Sequence, residues 1–367
     1  MHERLDRGRV KFKPLAERKN KVYIERDQVD PAASPRPLNA DNLLAELIDR
    51  MVRARHAGKP RMLVFGAHSV KNALAPVIIR LIESGWITHL ATNGAGIIHD
   101  WEFAYQGKTS EDVRENVTHG EFGTWEETGF YINLALVVGA WRGLGYGESV
   151  GALVEHEGLE IPAEMALLDE ICQALYEEET EKAAAGADLL GVIRKFSLPA
   201  GWMSVPHPYK QFGLQAAALR LGVPFTSHPM FGHDIIYEHP MKHGATLGRC
   251  AERAFLPFAH GVSQLDGGVY LSIGSAVMSP MVFEKSMSMS QNLAIQEGRH
   301  IDNHYMVIVD LQKSHWDWTQ GEPPETNPDY YLRYNKSFSR MGGQMRYLSA
   351  DNRDFLLTLL QQLETVG

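Results

Sequence analysis

The chain predicts an α/β fold built on a doubly wound, mostly parallel sheet with helices on both faces. Three observations carry this expectation. Short apolar runs (Met62–Phe65, Ile87–Ala91, Pro224–Ser227, Val269–Ile273 and Tyr305–Val309) have the length and composition of buried strands. Helix-period segments separate many of them, as in a sheet covered on both faces. Several runs end directly in small or polar residues, which suits strand ends approached closely by a ligand.

Taken in order, residues 1 to about 40 are polar and carry Pro14, Pro31, Pro35 and Pro37 without a clear period, so they read as an arm or wrapping segment. Leu43, Leu44, Leu47, Ile48 and Met51 then form the apolar stripe of a helix from Asp41 to about Arg53. The domain expectation is an arm and helix over 1–55, then one α/β domain over 56–367. Ala73–Ser84 reads as helix, with Pro76 in its first turn and Gly85 as its stop. Helices are predicted around Ser110–Val117 and Glu126–Trp141, and a mainly helical stretch around 158–197. Trp202–Val205 reads as a further short buried strand.

Composition narrows the function classes. The 367 residues, 44% hydrophobic, suffice for one large core or two ordinary ones. A net charge of −9 without a basic cluster argues against nucleic-acid binding. No run approaches the roughly 18 apolar residues of a membrane helix, and the charged MHERLDRGRVKFKP start lacks a signal-peptide core. Two cysteines, Cys172 and Cys250, give neither a disulfide framework nor a metal spacing. The expectation is a soluble, cytoplasmic protein with a small-molecule substrate.

The most informative stretch is Ile87–Asp100, ITHLATNGAGIIHD, an apolar run that meets Thr92, Asn93, Gly94, Ala95 and Gly96 without a spacer. Gly66-Ala67-His68-Ser69 and Gly274-Ser275-Ala276 end two other runs. In a parallel sheet such ends share one edge, where glycine lets backbone N–H groups approach phosphates. Neither a GxGxxG fingerprint nor a P-loop is present. His228, His233, His239 and His243 fall within sixteen residues, beside Asp234 and Glu238. Imidazoles and carboxylates suit a metal, but the spacing matches no standard ligand pattern, and substrate binding or proton transfer by His233 and Asp234 is preferred. Glu127 lies in an acid- and glycine-rich segment suited to a polar ligand or, equally, to a helix start. Trp316, Trp318, Tyr330, Tyr331 and Tyr334 could wall a cation pocket or simply form core.

Together these segments resemble the deoxyhypusine synthase superfamily, over roughly residues 60–367. Thr92–Asp100 is similar to that family's strand and acid-bearing loop. Tyr270–Val277 is similar to its strand and Gly-rich NAD loop. Pro328-Asp329, six residues and then Lys336 resemble the segment holding its imine-forming lysine, and Tyr347 follows eleven residues later. Departures are equally specific: Ile98 and His99 replace paired acids, Pro280 stands near the family's catalytic histidine, and Tyr334 replaces a tryptophan. The resemblance implies a divergent branch with a Rossmann-like NAD-binding fold, not a true deoxyhypusine synthase.

The resemblance implies NAD held by Gly66, His68, Ser69, Thr92, Asn93, Gly94, Ala95, Gly96, Asp100, Gly274, Ser275 and Ala276. Lys336, His233 and Asp234 are the catalytic candidates, Glu127 and Tyr334 the substrate contacts, and no metal is assigned. The expected activity is a transferase acting on an amine-containing or small polar substrate through transient oxidation and a lysine imine, in a homo-oligomer such as a tetramer. Two alternatives stand beside it: a metal-assisted hydrolase using the 228–243 histidines, and a non-catalytic nucleotide-binding protein.

Overall fold

The computed structural model describes residues 2–366. The chain divides into two compact units, where the sequence suggested one α/β domain after residue 55. Unit 1 comprises residues 1–26, 97–219 and 229–254, and unit 2 comprises residues 27–96, 220–228 and 255–367. The chain leaves the α/β unit after Gly96 and again after His228, so unit 1 is assembled mainly from two insertions between strands. Helical periodicity identifies such segments as helix but does not say which core they join.

Unit 2 holds the sheet. Its strands are β1 (Arg61–Phe65), β2 (His89–Thr92), β3 (Phe225–Ser227), β4 (Val269–Ile273), β5 (Tyr305–Asp310) and β6 (Gln344–Ser349). All five ladders are parallel, in the order β3-β2-β1-β4-β5-β6. Register is set by the pleat, which sends alternate side chains to opposite faces. Met62 and Val64 of β1, Ala91, Tyr270, Met306 and Ile308 meet Phe258, Val262, Phe283, Met287 and Phe338 in one core. Two of those partners lie on α3 (Met278–Gln296) and one on α4 (Arg333–Ser339). The helices α1 (Asp41–His56) and α5 (Asn352–Val366) contact the central strands, and α2 (Ala75–Glu83) packs on α5. The sheet is therefore doubly wound.

β6 escaped the sequence reading because QMRYLS contains no apolar run. It is an edge strand with a single neighbour, β5, and only Met345 is buried.

Unit 1 is mainly helical. Glu126–Trp141 has buried side chains from Ile132 through Ala140 on every face, as a helix at the centre of a unit must. It packs against Tyr146–His156 and Thr180–Phe196, and the latter against Glu164–Tyr176. Trp202–Val205, expected to join the buried sheet, instead forms an antiparallel pair, Gly201–Ser204 with Gly158–Ile161, and Trp202 is exposed. The first residues are folded onto unit 1 rather than loose: Leu15 is fully buried, and Arg18 makes a bidentate buried pair with Glu102 at 2.7 and 2.6 Å.

Candidate functional site

The parallel strands of unit 2 end on one edge. Chain order steps outward from β1 to β3, then returns to β4 beside β1, so the topological switch lies between β1 and β4. Gly66 and Gly274 sit there. The Gly66 N–H donates to the Ile273 carbonyl at 3.0 Å, and a Cβ built on Gly66 would lie 2.0 Å from the Gly274 carbonyl oxygen. Gly274 has φ +57°, and a Cβ on it would meet the Asn352 amide at 2.6 Å. A side chain at Gly66 would push the two loops apart, and one at Gly274 would press on Asn352 from a strained positive φ. Asn352 Nδ2 in turn donates to the buried Ser69 Oγ at 3.3 Å. The sequence singled out Gly66, Ser69 and Gly274 but not Asn352, since an asparagine opening a helix looks like any capping residue.

The stretch after β2 is not the loop expected from its glycines. A helix begins at Gly94 and runs to Gln106, so Gly94, Ala95 and Gly96 form its first turn. Asn93 Oδ1 accepts from the Gly96 N–H at 3.0 Å and caps it. Glycine at 96 is required by the strand, because a Cβ would lie 2.2 Å from Thr92 Oγ1. Thr92 is committed as well, donating to the Phe65 carbonyl at 2.9 Å. Along the same edge His68 and Ala276 are exposed, Ser275 Oγ caps α3 through the Ser279 N–H, and the buried Ser227 hydroxyl has no partner.

Asp100, expected to meet the cofactor, is 1% exposed in unit 1 and accepts from Leu214 N, Gln215 N and Gln215 Nε2. Burial lifts its carboxyl to about 6 against the pull of those bonds. Its acceptors are thereby occupied, and it holds the start of helix Leu214–Arg220.

Also in unit 1, His233 is exposed and Asp234 is buried. Desolvation raises the Asp234 carboxyl to about 7. A hydrogen bond with the Tyr237 hydroxyl pulls the other way, and the buried Tyr146 hydroxyl lacks a hydrogen-bond partner. Glu238 is likewise raised to about 7, by burial and the charge of Glu111. Glu127 receives the Leu15 N–H at 2.6 Å. The four histidines do not act together. His228 bonds Thr226 at 3.2 Å, His239 faces Glu126 at 3.3 Å, and His243 bonds Thr246 at 3.1 Å. Among the described residues no group of three or more His, Cys, Asp or Glu side chains could hold a metal.

In unit 2, Pro328-Asp329 organises a loop: one Asp329 oxygen accepts from His315 N and Trp316 N, both at 2.7 Å, and from Ser314 Oγ at 3.0 Å. Lys336 Nζ is 2.9 Å from Glu322 and sits 3.2 Å over the Tyr330 ring centroid. Desolvation would lower its pKa, but Glu322 and Tyr330 outweigh it and the amine is raised. Tyr334 OH lies 3.2 Å from Tyr347 OH, and burial pushes the Tyr334 phenol to about 12.

A six-stranded parallel sheet in the order 3-2-1-4-5-6, with glycines back to back at its switch point, defines a Rossmann-type α/β unit. No protein-family model matches the chain, and no curated protein does. Solved structures similar to it include apo ArgZ, an arginine dihydrolase from the ornithine-ammonia cycle in cyanobacteria (14% identity, TM-score 0.44, 90% of this chain). Others are a conserved putative LOR/SDH protein from Methanococcus maripaludis S2 (12%, 0.43, 98%) and AgrE in ternary complex with ornithine and NAD+ (12%, 0.43, 91%). None of these three is a deoxyhypusine synthase. The chain spans 34% of the ArgZ and AgrE chains and 76% of the LOR/SDH protein.

Proposed function

We propose that the crest of the unit 2 sheet is a dinucleotide site and that the chain is an NAD-binding enzyme. One observation carries this reading: the strand order places Gly66 and Gly274 at the β1/β4 switch point, in contact. Dinucleotides bind doubly wound sheets there. The residues fit the group. Gly274, His68, Asn93 and Ala276 are at least partly open to solvent. The first helix, Ala67–Lys71, is short, so the capped starts of Gly94–Gln106 and α3 supply the longer helix dipoles at this edge. Bound there, NAD+ would accept a hydride from the substrate.

Within that reading, the substrate is an amine-bearing or small polar molecule, and transfer proceeds through Lys336. Its spacing from Pro328-Asp329 supports the choice. The Glu322 pair sets the requirement: the ammonium must part from Glu322 and lose its proton before it can attack a carbon. Two free cysteines suit a reducing, cytoplasmic setting, and among the described residues no helix is long and apolar enough to cross a membrane.

The test is thermal unfolding with NAD+, NADH and AMP, together with release of bound dinucleotide on denaturation. Ligand at 100 times its Kd stabilises by about 2.7 kcal/mol, a readily measured rise in Tm. No shift with any dinucleotide would sink the reading. Borohydride reduction after incubation with NAD+ and candidate amines, so that the amine is first oxidised to an imine that Lys336 can attack, should label Lys336 and not the Lys336→Ala variant; label elsewhere removes the imine step and leaves the NAD site standing.

A further inference from the structure

We propose that unit 2 carries a second small-molecule site at the opposite, N-terminal edge of its sheet, built to take a phosphorylated ligand. A cavity of about 590 Å³ opens there, bounded by the segments that lead into β1, β2 and β3. Arg55, Lys59, Arg61, His89, His260 and Gln264 line it, and no carboxylate does. That is notable in a chain with 45 acidic and 36 basic side chains.

Arg61 is the buried cation of the lining. Its side chain is anchored by Nε to the Trp86 carbonyl at 2.9 Å, Nη1 to Lys59 O at 2.7 Å and Nη2 to Gly85 O at 3.0 Å. The residue is 6% exposed and has carbonyl dipoles for partners, not an anion. A buried cation without a counter-charge is costly, and a bound anion relieves that cost. Arg55 lies over the Trp86 ring at 4.3 Å, so its guanidinium is held at the rim by a cation–π contact rather than a carboxylate. His89, fixed by Thr226 at 3.1 Å, adds a neutral imidazole. Cations in the last turn of a helix are ordinary, and that accounts for Arg55 and His260 taken singly. It does not account for Lys59 and Arg61, which stand in the turn into β1 and in β1 itself. The Arg55 guanidinium offers the paired donors that match phosphate oxygens, and the anchored Arg61 adds its charge behind it. The volume is that of a small-molecule site rather than of one ion, so the ligand is a phosphate ester.

Isothermal titration of the full chain with inorganic phosphate at low ionic strength tests the phosphate-binding part. Hydrogen exchange of the same samples locates it. Saturable binding is expected, with protection over residues 55–61 and 260–264. Arg55→Gln and His260→Gln, both at exposed positions, should each weaken it about tenfold, while Lys285→Gln leaves it unchanged and succinate binds more weakly. The proposal is overturned by absence of saturable binding, by protection at 66–69 and 274–276 instead, or by equal weakening in Lys285→Gln. Succinate binding as tightly as phosphate overturns the phosphate preference.

Discussion

Asp234 carries the most informative single-residue physics in unit 1. Its carboxyl is raised to about 7, chiefly by burial, which outweighs the opposing hydrogen bond with Tyr237. Because the folded-state pKa lies above the unfolded value, ionising this group works against folding. The penalty is full above pH 7 and shrinks as pH falls toward 4. Asp234→Asn should therefore be more stable than the parent by about 2–4 kcal/mol at pH 8, with a smaller margin at pH 5, measured by urea unfolding. A margin that does not change with pH would show that Asp234 is ionised and paired. A stabilising loss of this kind marks a residue kept for function rather than for folding. The sequence drew attention to Asp234 through its histidine neighbours, yet the histidines have separate partners. Desolvation isolates the acid, and burial of one carboxyl leaves no trace in residue spacing.

At the level of elements, the junction of β2 with helix Gly94–Gln106 depends on one close approach, Gly96 against Thr92. Gly96→Ala should cost about 2 kcal/mol through overpacking. Thr92→Ala should cost about 1 kcal/mol by losing its bond to Phe65 O. The double variant should cost less than their sum, since removing Oγ1 and Cγ2 makes room for the new methyl. Strict additivity would mean that the helix start is not pressed on the strand. The apolar runs of the central strands and the full extent of Glu126–Trp141 were legible, because burial on both faces writes continuous hydrophobicity into the chain. The NGAG segment was read as loop for the opposite reason. Glycine disfavours helix locally, and the strand contact that demands glycine is tertiary.

Across the whole molecule, the two units should answer acid in opposite directions. In unit 2, burial lowers His89 and His304 to about 4 and His228 to about 3. Neutral burial of these rings is fully compatible with folding above pH 6.5, and stability is lost as pH falls from there toward 4. In unit 1, Asp100 near 6 and Asp234 and Glu238 near 7 gain stability on acidification, against His207, which is lowered to about 4. Hydrogen exchange corrected for its intrinsic pH dependence should show β2 and β3 loosening between pH 7 and pH 5 while unit 1 holds or tightens. A parallel response in both units would contradict these burial effects. By itself the sequence determined that this protein is a parallel α/β chain with small residues at its strand ends, because strand burial and close backbone approach are paid in residue type. Only the tertiary structure decided the strand order, the contacts of Gly274 with Gly66 and Asn352, the pairing of Lys336 with Glu322, and the division into two units. Those depend on which distant segments meet, and local periodicity carries no record of that.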